Sequence, residues 1–363
     1  MKSATSLYLD ICRFCAAMVV FLGHASFGKW SGGFLWQIAP FGQRAVDIFF
    51  VLSGFVIAYV VDGKENDAET YAASRFARIY SVALPSLILT FLLNILGQSI
   101  DTSPYVSIKD YGNPNQLLAF IASITFCNEL WFQHFVFGTN EPYWSLGFEV
   151  WYYIIFGLFM FSPRRWRWVA AVAAVAVAGP KVAILFPLWL VGVGCYAVIK
   201  KGGIGPKIGL ALFLASIIAF ACYWETWAQH GKRPFDPFTL EPKRLASYLD
   251  NYATGLLFAV NIVGFDGMAG KILPLLSRFS RQIRWVAGST FSLYLFHQPI
   301  IELLVAMSPW SPSSAATRAM VTLGTLAIVL GLAQLTERYK SVWRKTFLAT
   351  LRLARTASDP RGT

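Results

Sequence analysis

The 363-residue chain is 56% hydrophobic and only 14% charged, with 30 Phe residues against 19 acidic residues. This composition excludes an ordinary soluble domain, because so many apolar side chains require a lipid environment. The net charge of +12 does not indicate nucleic-acid binding, since the Lys and Arg residues cluster between apolar segments rather than on one basic surface. We therefore expect an integral membrane protein whose partner is the lipid bilayer.

The apolar segments predict an all-α, polytopic membrane helix bundle of about ten transmembrane helices. A bilayer core about 30 Å thick requires roughly 20 apolar residues per helix. The predicted spans are 7–27, 45–61, 80–98, 143–161, 166–179, 183–199, 208–224, 248–266, 285–307 and 318–336. Lys and Arg residues are enriched in alternate connecting segments, which predicts that both termini are cytoplasmic. The expected location is the cell (cytoplasmic or inner) membrane.

This topology requires that segment 116–137 does not cross the membrane. Its polar residues between Asn128 and His134 favour a re-entrant or cavity-lining path on the outer side. We expect residues 1–337 to form one transmembrane domain, whose first helix is retained rather than cleaved, and residues 338–363 to form a basic cytoplasmic tail. No further domain is expected, so any chemistry must take place within the membrane domain.

The five cysteines lie within apolar segments and are expected to be packing residues. Cys12 and Cys15 form a C-x-x-C pattern, but they lack the sequence context of a redox or zinc site. The remaining His and Cys residues are scattered along the chain. We therefore expect no metal ion and no disulfide framework.

Ionisable residues within membrane spans are costly and are therefore candidates for function. The first span contains Asp10, Arg13 and His24. Arg13 and His24 are eleven residues apart, about three helical turns, and share one face about 16 Å apart. Arg13 could instead be a membrane anchor neutralised by Asp10, and His24 could simply bond a carbonyl. Our hypothesis is that the pantetheine arm of acyl-CoA lies along this face, with Arg13 near its polar groups and His24 near the thioester.

Two further carboxyl groups are predicted at the depth of His24. Asp47 begins the second span and Glu149 lies near the start of the fourth, and both spans enter from the same side as the end of the first. We therefore predict that His24, Asp47 and Glu149 converge in one outer layer. There His24 acts as the base, or first takes the acyl group itself, and Glu149 or Asp47 orients it. The alternative for Asp47 and Glu149 is structural neutralisation, through each other or through Arg44.

Other polar and aromatic residues could bind ligands. Arg75 and Arg78, in a predicted cytoplasmic loop, are three residues apart and could reach one polyphosphate, although positive-inside anchoring explains them equally simply. His297 in the ninth span could orient a ligand or bond a neighbouring helix. Candidates for contact with a sugar near Glu149 are Trp144, Ser145 and Tyr152, of which the two aromatic residues could instead be interface residues.

Five motifs, in order, resemble the acyltransferase 3 family of integral-membrane O-acyltransferases. They are LDICRFCAAMVVFLGH, VDIFFVLSGF, RFARIY, WSLGFEVWYY and SLYLFHQP. The resemblance implies a ten-span core that moves acyl groups from acetyl-CoA or another acyl-CoA to hydroxyls of carbohydrates or lipid-linked glycans. It also implies that Arg13 and His24 are essential. The residues it gives supporting roles are Asp47, Ser53, Arg75, Arg78, Glu149 and His297.

The chain departs from the family pattern at two places. Ser81 stands where Pro is common, and Gly147 stands where Ser is common, but neither change removes a reactive group. The expected function is transfer of an acyl group, most simply acetyl, to a sugar hydroxyl of an envelope polysaccharide, exopolysaccharide or other glycoconjugate. The alternatives are a transporter or flippase of an envelope precursor, and a scaffold for polysaccharide-assembly proteins, which are also candidate partners of an enzyme.

Overall fold

The structure, a computed structural model, describes residues 2–105, 115–228 and 242–358. These ranges are helical and contain no strand. The helices of eight residues or more are α1 Ser3–Ala25, α2 Gly42–Gly63, α3 Ala68–Ile100, α4 Gln116–Ile124, α5 Trp144–Phe161, α6 Arg167–Ala178, α7 Pro180–Lys200, α8 Pro206–Tyr223, α9 Pro242–Arg278, α10 Ser280–Ala287, α11 Thr290–Ala306, α12 Thr325–Leu335 and α13 Lys340–Ser358. The predicted all-α fold is confirmed.

Within the described ranges, 8 helices are long and apolar enough to cross a membrane. Two shorter apolar helices, α6 with 12 residues and α11 with 17, occupy the positions of the two remaining predicted spans. At 1.5 Å per residue, α6 is about 18 Å long, which is less than the thickness of a bilayer core. The chain is thus a multi-pass helix bundle, in which eight helices rather than ten meet the length requirement.

The third span begins about one dozen residues earlier than the sequence indicated. Asp67 caps α3, since its side chain accepts a hydrogen bond from the backbone N–H of Thr70 at 2.8 Å. This bond also holds the pKa of Asp67 below its usual range. Arg75 and Arg78 therefore lie on a helix, and their placement in a loop was wrong. The helix continues through them because both side chains turn inward to a charged cavity described below.

Segment 116–137 folds back on the bundle. Its helix α4 has 9 residues, which at 1.5 Å each cannot cross a bilayer. After it, the backbone N–H of Trp131 donates to the carbonyl of Ala178 at 3.0 Å, and Glu129 pairs with Lys181 at 2.7 Å. Gly179 permits this approach, because a Cβ there would lie 2.6 Å from Trp131 and its φ is +88°. The segment is thus packed against the junction of α6 and α7.

Close contact between α2 and α7 brings the central helices together. A Cβ on Gly54 would lie 2.0 Å from the carbonyl oxygen of Trp189, and one on Gly192 would lie 2.0 Å from that of Val51. Small residues allow such an approach of two helix backbones in a membrane. The surrounding core is aromatic and fully buried, with Phe55 as one of its members. Helix α2 is therefore fixed in rotation, which determines where the flanking Ser53 points.

The periphery of the bundle is apolar, as a lipid-facing surface requires. Helix α8 exposes Leu210, Leu214, Ile217 and Ile218, and it packs mainly on α9. The basic C-terminal segment is also helical, and α13 packs along the first half of α3. Its Arg344 Nε donates to Ser74 Oγ at 3.0 Å. The C-terminal segment therefore lies against the membrane domain near the charged cavity.

Candidate active site

A cavity lies between α1, α2, α3, α5 and α11. Its lining combines aromatic and aliphatic side chains with ionisable and hydroxyl groups. The polar residues that line it are Arg13, Ser53, Arg75, Arg78, Ser145, Glu149, Tyr153, Thr290, Tyr294 and Glu337. Ionisable groups at this depth are expensive unless they pair or bind a ligand. The cavity is therefore the first candidate for a ligand site.

Glu149 is held by two hydroxyl groups at one carboxylate oxygen. Ser53 Oγ donates to Oε1 of Glu149 at 2.8 Å, and the hydroxyl of Tyr153 donates to the same oxygen. Ser53 itself accepts a hydrogen bond from Nε1 of Trp189 at 3.1 Å. This chain of donors fixes the carboxylate and leaves it accepting charge-assisted hydrogen bonds. Glu149 thus provides a fixed negative charge inside a largely basic cavity.

The three arginines of the cavity differ in how they are paired. Arg75 is buried and donates from Nη2 to Glu65 at 2.6 Å. Arg13 makes only a 3.4 Å contact with Asp10. Arg78 attracts the charges of Glu149 and Glu337, but no ion pair within 4.0 Å is formed by its guanidinium in the described part of the chain. Arg13 and Arg78 therefore retain donors that an anionic ligand can use.

The cavity contains residues that the sequence analysis missed. Glu337 accepts hydrogen bonds from the backbone N–H of Ser292 at 3.2 Å and from its Oγ at 3.3 Å. Lys340, one turn later, interacts electrostatically with the three arginines. Both were assigned to the end of the last span or to the tail. The sequence signal that could have identified them is Glu337, an acidic residue that ends an apolar run three residues before Lys340.

His24 and His297 form a hydrogen-bonded pair above this cavity. Nδ1 of His24 lies 2.8 Å from Nε2 of His297, and Nδ1 of His297 lies 2.9 Å from the carbonyl oxygen of Leu293. A carbonyl only accepts, so Nδ1 of His297 carries a proton and its Nε2 accepts from His24. Nε2 of neutral His24 therefore keeps its lone pair. His297 thus bonds to His24 and joins α11 to α1.

Tyr294 links the histidine pair with the cavity. Its hydroxyl lies 2.7 Å from Oγ of Ser145, and both residues line the cavity. Its ring also lies edge-on to the ring of His297, with 6.4 Å between centroids. Helix α1 lines the cavity through Arg13, whereas His24 on the same helix does not line it.

Asp47 lies elsewhere. Its side chain is fully buried beside Arg44 at 3.3 Å, and Arg44 also donates to Asn251 at 2.7 Å. Asp47 does not line the cavity, and no hydrogen bond or ion pair within the described ranges joins it to His24 or Glu149. Asp47 thus makes no direct contact with His24 or Glu149 in the described part of the chain. Asp47 has the structural pairing with Arg44 that the sequence also allowed.

The three residues predicted to contact a sugar, Trp144, Ser145 and Tyr152, lie in different environments. Ser145 lines the cavity. Tyr152 is completely buried, with its ring against Phe50 and Trp189, so its assignment to a sugar platform is corrected to helix packing. Trp144 packs its ring on Phe148 and does not line the cavity. A span that is surrounded by other helices carries aromatic residues on all its faces. The sequence therefore did not distinguish Tyr152, which packs between helices, from an aromatic residue that faces a ligand.

The fold and the site define a multi-pass membrane protein with a charged internal cavity and a histidine pair. A sequence profile described as an acyltransferase domain matches residues 6–337, and the chain therefore belongs to the acyltransferase 3 family. Acyltransferase MdmB of Streptomyces mycarofaciens is 30% identical over 188 residues, which cover 48% of this chain and 46% of MdmB. Exopolysaccharide production protein ExoZ of Rhizobium meliloti (strain 1021) is 26% identical over 283 residues, which cover 69% of this chain and 80% of ExoZ. No solved structure matches significantly.

Proposed function

We propose that the protein transfers an acyl group, most simply acetyl, from acyl-CoA to a sugar hydroxyl of an envelope polysaccharide, exopolysaccharide or other glycoconjugate. The observation that carries the proposal is the basic cavity together with the histidine pair, which Tyr294 links to it. Arg13 and Arg78 offer unpaired or weakly paired donors in the cavity, and His24 holds a free Nε2. A transferase of this kind needs an anion site for the donor and a base for the acceptor, joined by a narrow passage.

The donor is proposed to occupy the cavity. Arg13, Arg78 and Lys340 form a basic cluster that suits the phosphates of acyl-CoA. Arg75 supports this cluster through its pairing with Glu65. The thin pantetheine arm would pass Glu149 and Ser53 toward Ser145, which brings the thioester close to the histidine pair.

His24 is proposed to act as the general base. Its Nε2 takes the proton of the acceptor hydroxyl while the hydroxyl oxygen bonds to the thioester carbonyl carbon. The carbon–sulfur bond then breaks, and the imidazolium returns the proton to the thiolate of CoA. His297 orients His24 in the tautomer that this step requires. The products are a sugar ester and free CoA.

The acceptor class rests on family membership and on the name of one relative. ExoZ is named an exopolysaccharide production protein, which supports a polysaccharide or its lipid-linked precursor as acceptor. MdmB is named an acyltransferase. Polysaccharide-assembly proteins are the corresponding candidate protein partners.

The proposal is tested in two stages. Glycans from a deletion strain are compared with wild type by mass spectrometry, and one glycan is expected to lose an acyl-sized mass. Purified protein in nanodiscs is then given radiolabelled acetyl-CoA and that unmodified glycan. Label is expected to reach the glycan with wild type and with Cys15→Ala, an exposed position on α1, but not with folded His24→Ala. Label transfer by His24→Ala would overturn the mechanism. If the deletion strain has the same glycans as wild type and the purified protein transfers no label, a transporter or scaffold would be favoured.

A further inference from the structure

The free nitrogen of His24 faces a second ionisable group that none of the motifs includes. Oε2 of Glu141 lies 4.0 Å from Nε2 of His24. This distance is too long for a direct hydrogen bond, but it is within the range of an ion pair once the imidazole is protonated. The side chains are 22% and 36% exposed, respectively, so solvent screens the interaction only in part. Glu141 thus faces the atom that takes the proton in the proposed reaction.

The backbone that presents Glu141 is held by the same helix that carries His297. Glu141 opens a short 3-10 helix, Glu141–Tyr143, directly before α5. The preceding Asn140 donates from its side-chain amide to the carbonyl of Leu295 at 3.1 Å and to Oγ1 of Thr90 at 3.2 Å. Leu295 is two residues from His297. The positions of Glu141 and His297 relative to His24 are therefore fixed by one element, α11.

We propose that Glu141 is a positioning residue for His24, whose carboxylate stabilises the protonated imidazole during acyl transfer. The proposal rests on the proposed function of His24. When the acceptor hydroxyl loses its proton to Nε2, a positive charge forms beside the carboxylate of Glu141. The charge disappears when the proton passes to the thiolate of CoA. Glu141 therefore favours the intermediate state without exchanging a proton itself.

Other ionisable groups modulate this contact and must be considered in any pH experiment. His297 contacts His24 directly, and the remaining groups act on the carboxylate. The set around the contact is His297 on α11, Glu302 on α11, Lys29 near the end of α1 and His134 in the segment after α4. Lys29 and His134 oppose the negative charge of Glu141, whereas Glu302 adds to it. The net field at His24 is therefore smaller than an isolated carboxylate would produce.

The test uses the reaction of His24 with diethyl pyrocarbonate, which modifies the unprotonated but not the protonated form of an imidazole and requires neither donor nor acceptor. The rate of His24 modification is measured from pH 2.5 to pH 8 by peptide mass spectrometry on purified full-length protein in nanodiscs. In Glu141→Gln the midpoint is expected to move to lower pH by about one unit, because the protonated form loses its partner charge. In Glu141→Asp the shift is expected to be smaller.

The matched control is Asp62→Asn, which removes a carboxylate that contacts Tyr196 and Lys200 on α7. Its midpoint is expected to equal that of wild type. An unchanged midpoint in folded Glu141→Gln would overturn the proposal. A shifted midpoint combined with full transfer by His24→Ala would leave the contact intact and overturn the proposed function of His24, so the two failures are distinguishable.

Discussion

Nδ1 of His24 lies 2.8 Å from Nε2 of His297, and the carbonyl of Leu293 determines the direction of this hydrogen bond. Two histidines on different helices thereby share one ordered chain of donors and acceptors. Nε2 of His24 is therefore left as a hydrogen-bond acceptor. This relationship makes His297 an orienting residue in the proposed mechanism, comparable in role to the group that orients the histidine base of a catalytic triad.

Substitution of His297 tests the orienting role. His297→Phe keeps the volume but removes both ring nitrogens, so we expect the turnover rate to fall by about 100-fold or more. His297→Gln can still accept from His24 and donate to Leu293, and we expect a loss of about tenfold or less. Initial rates at saturating acyl-CoA, normalised to folded protein from size-exclusion chromatography, provide the measurement. Equal losses in both variants would show that the hydrogen bonds of His297 are not required.

Substitutions of Arg78 and Arg75 are predicted to affect different properties, although the two residues lie one turn apart. Arg78→Gln removes a donor that faces the cavity without an ion pair of its own in the described structure, so KM for acyl-CoA is expected to rise by roughly tenfold to 100-fold. The folded protein should keep its thermal stability. Michaelis constants and melting curves in detergent are measured on the same preparation.

Arg75→Gln is the matched variant for that comparison. It leaves the buried Glu65 carboxylate without its guanidinium, which costs about 3 kcal/mol or more when a buried pair is broken from one side. We therefore expect a lower melting temperature and less folded protein, with a smaller change in KM. Equal effects of the two substitutions on KM, without loss of stability, would contradict the assigned division of roles.

The sequence predicted the helical segments better than it predicted their ends and their partners. Continuous apolar runs identified ten of the helices, because the requirement of a lipid environment acts on every span separately, but they did not identify α4, α10 and α13. Arg75 and Arg78 were assigned to a loop, since charged residues usually end a span. Here α3 passes through them. Arg75 pairs with Glu65, and Arg78 faces the charges of Glu149 and Glu337, which lie far away in the sequence.

The candidate site was only partly predictable for the same reason. Spacing along one helix placed Arg13 and His24 on a common face, and in the structure Arg13 lines the cavity while His24 bonds to His297. Depth alone also placed Asp47 in the layer of His24, but depth does not determine the rotation of a helix. The close contact of α2 with α7 fixes the rotation of α2 and turns Ser53 to the cavity, while Asp47 lies beside Arg44 on the same helix.

Asp47 is accordingly expected to affect stability rather than chemistry. Asp47→Asn leaves the buried Arg44 with a neutral neighbour, so the melting temperature should fall while turnover per folded molecule changes by about threefold or less. Asp47→Leu combined with Arg44→Met removes both charges and should recover part of the lost stability. The measurements are thermal unfolding and initial rate. A folded Asp47→Asn protein with turnover reduced by 100-fold would restore Asp47 to the catalytic set.

The glycine of the LSGF sequence is predicted to act through helix packing. Gly54→Ala would place a methyl group 2.0 Å from the carbonyl oxygen of Trp189, so α2 and α7 would have to separate. That movement would also disturb the hydrogen bond from Trp189 to Ser53, which holds Glu149. We expect a lower yield of folded protein, a lower melting temperature and reduced turnover in the surviving fraction.

Gly63→Ala, at the end of the same helix, provides the control for Gly54→Ala. No atom lies within 4 Å of a Cβ at Gly63, and alanine is favoured over glycine in a helix. Stability should therefore stay equal to wild type or rise slightly, and turnover should not change. Melting curves and acyl-transfer rates of the two variants are compared under identical conditions. If both substitutions are tolerated equally, the close approach of α2 and α7 does not position Glu149.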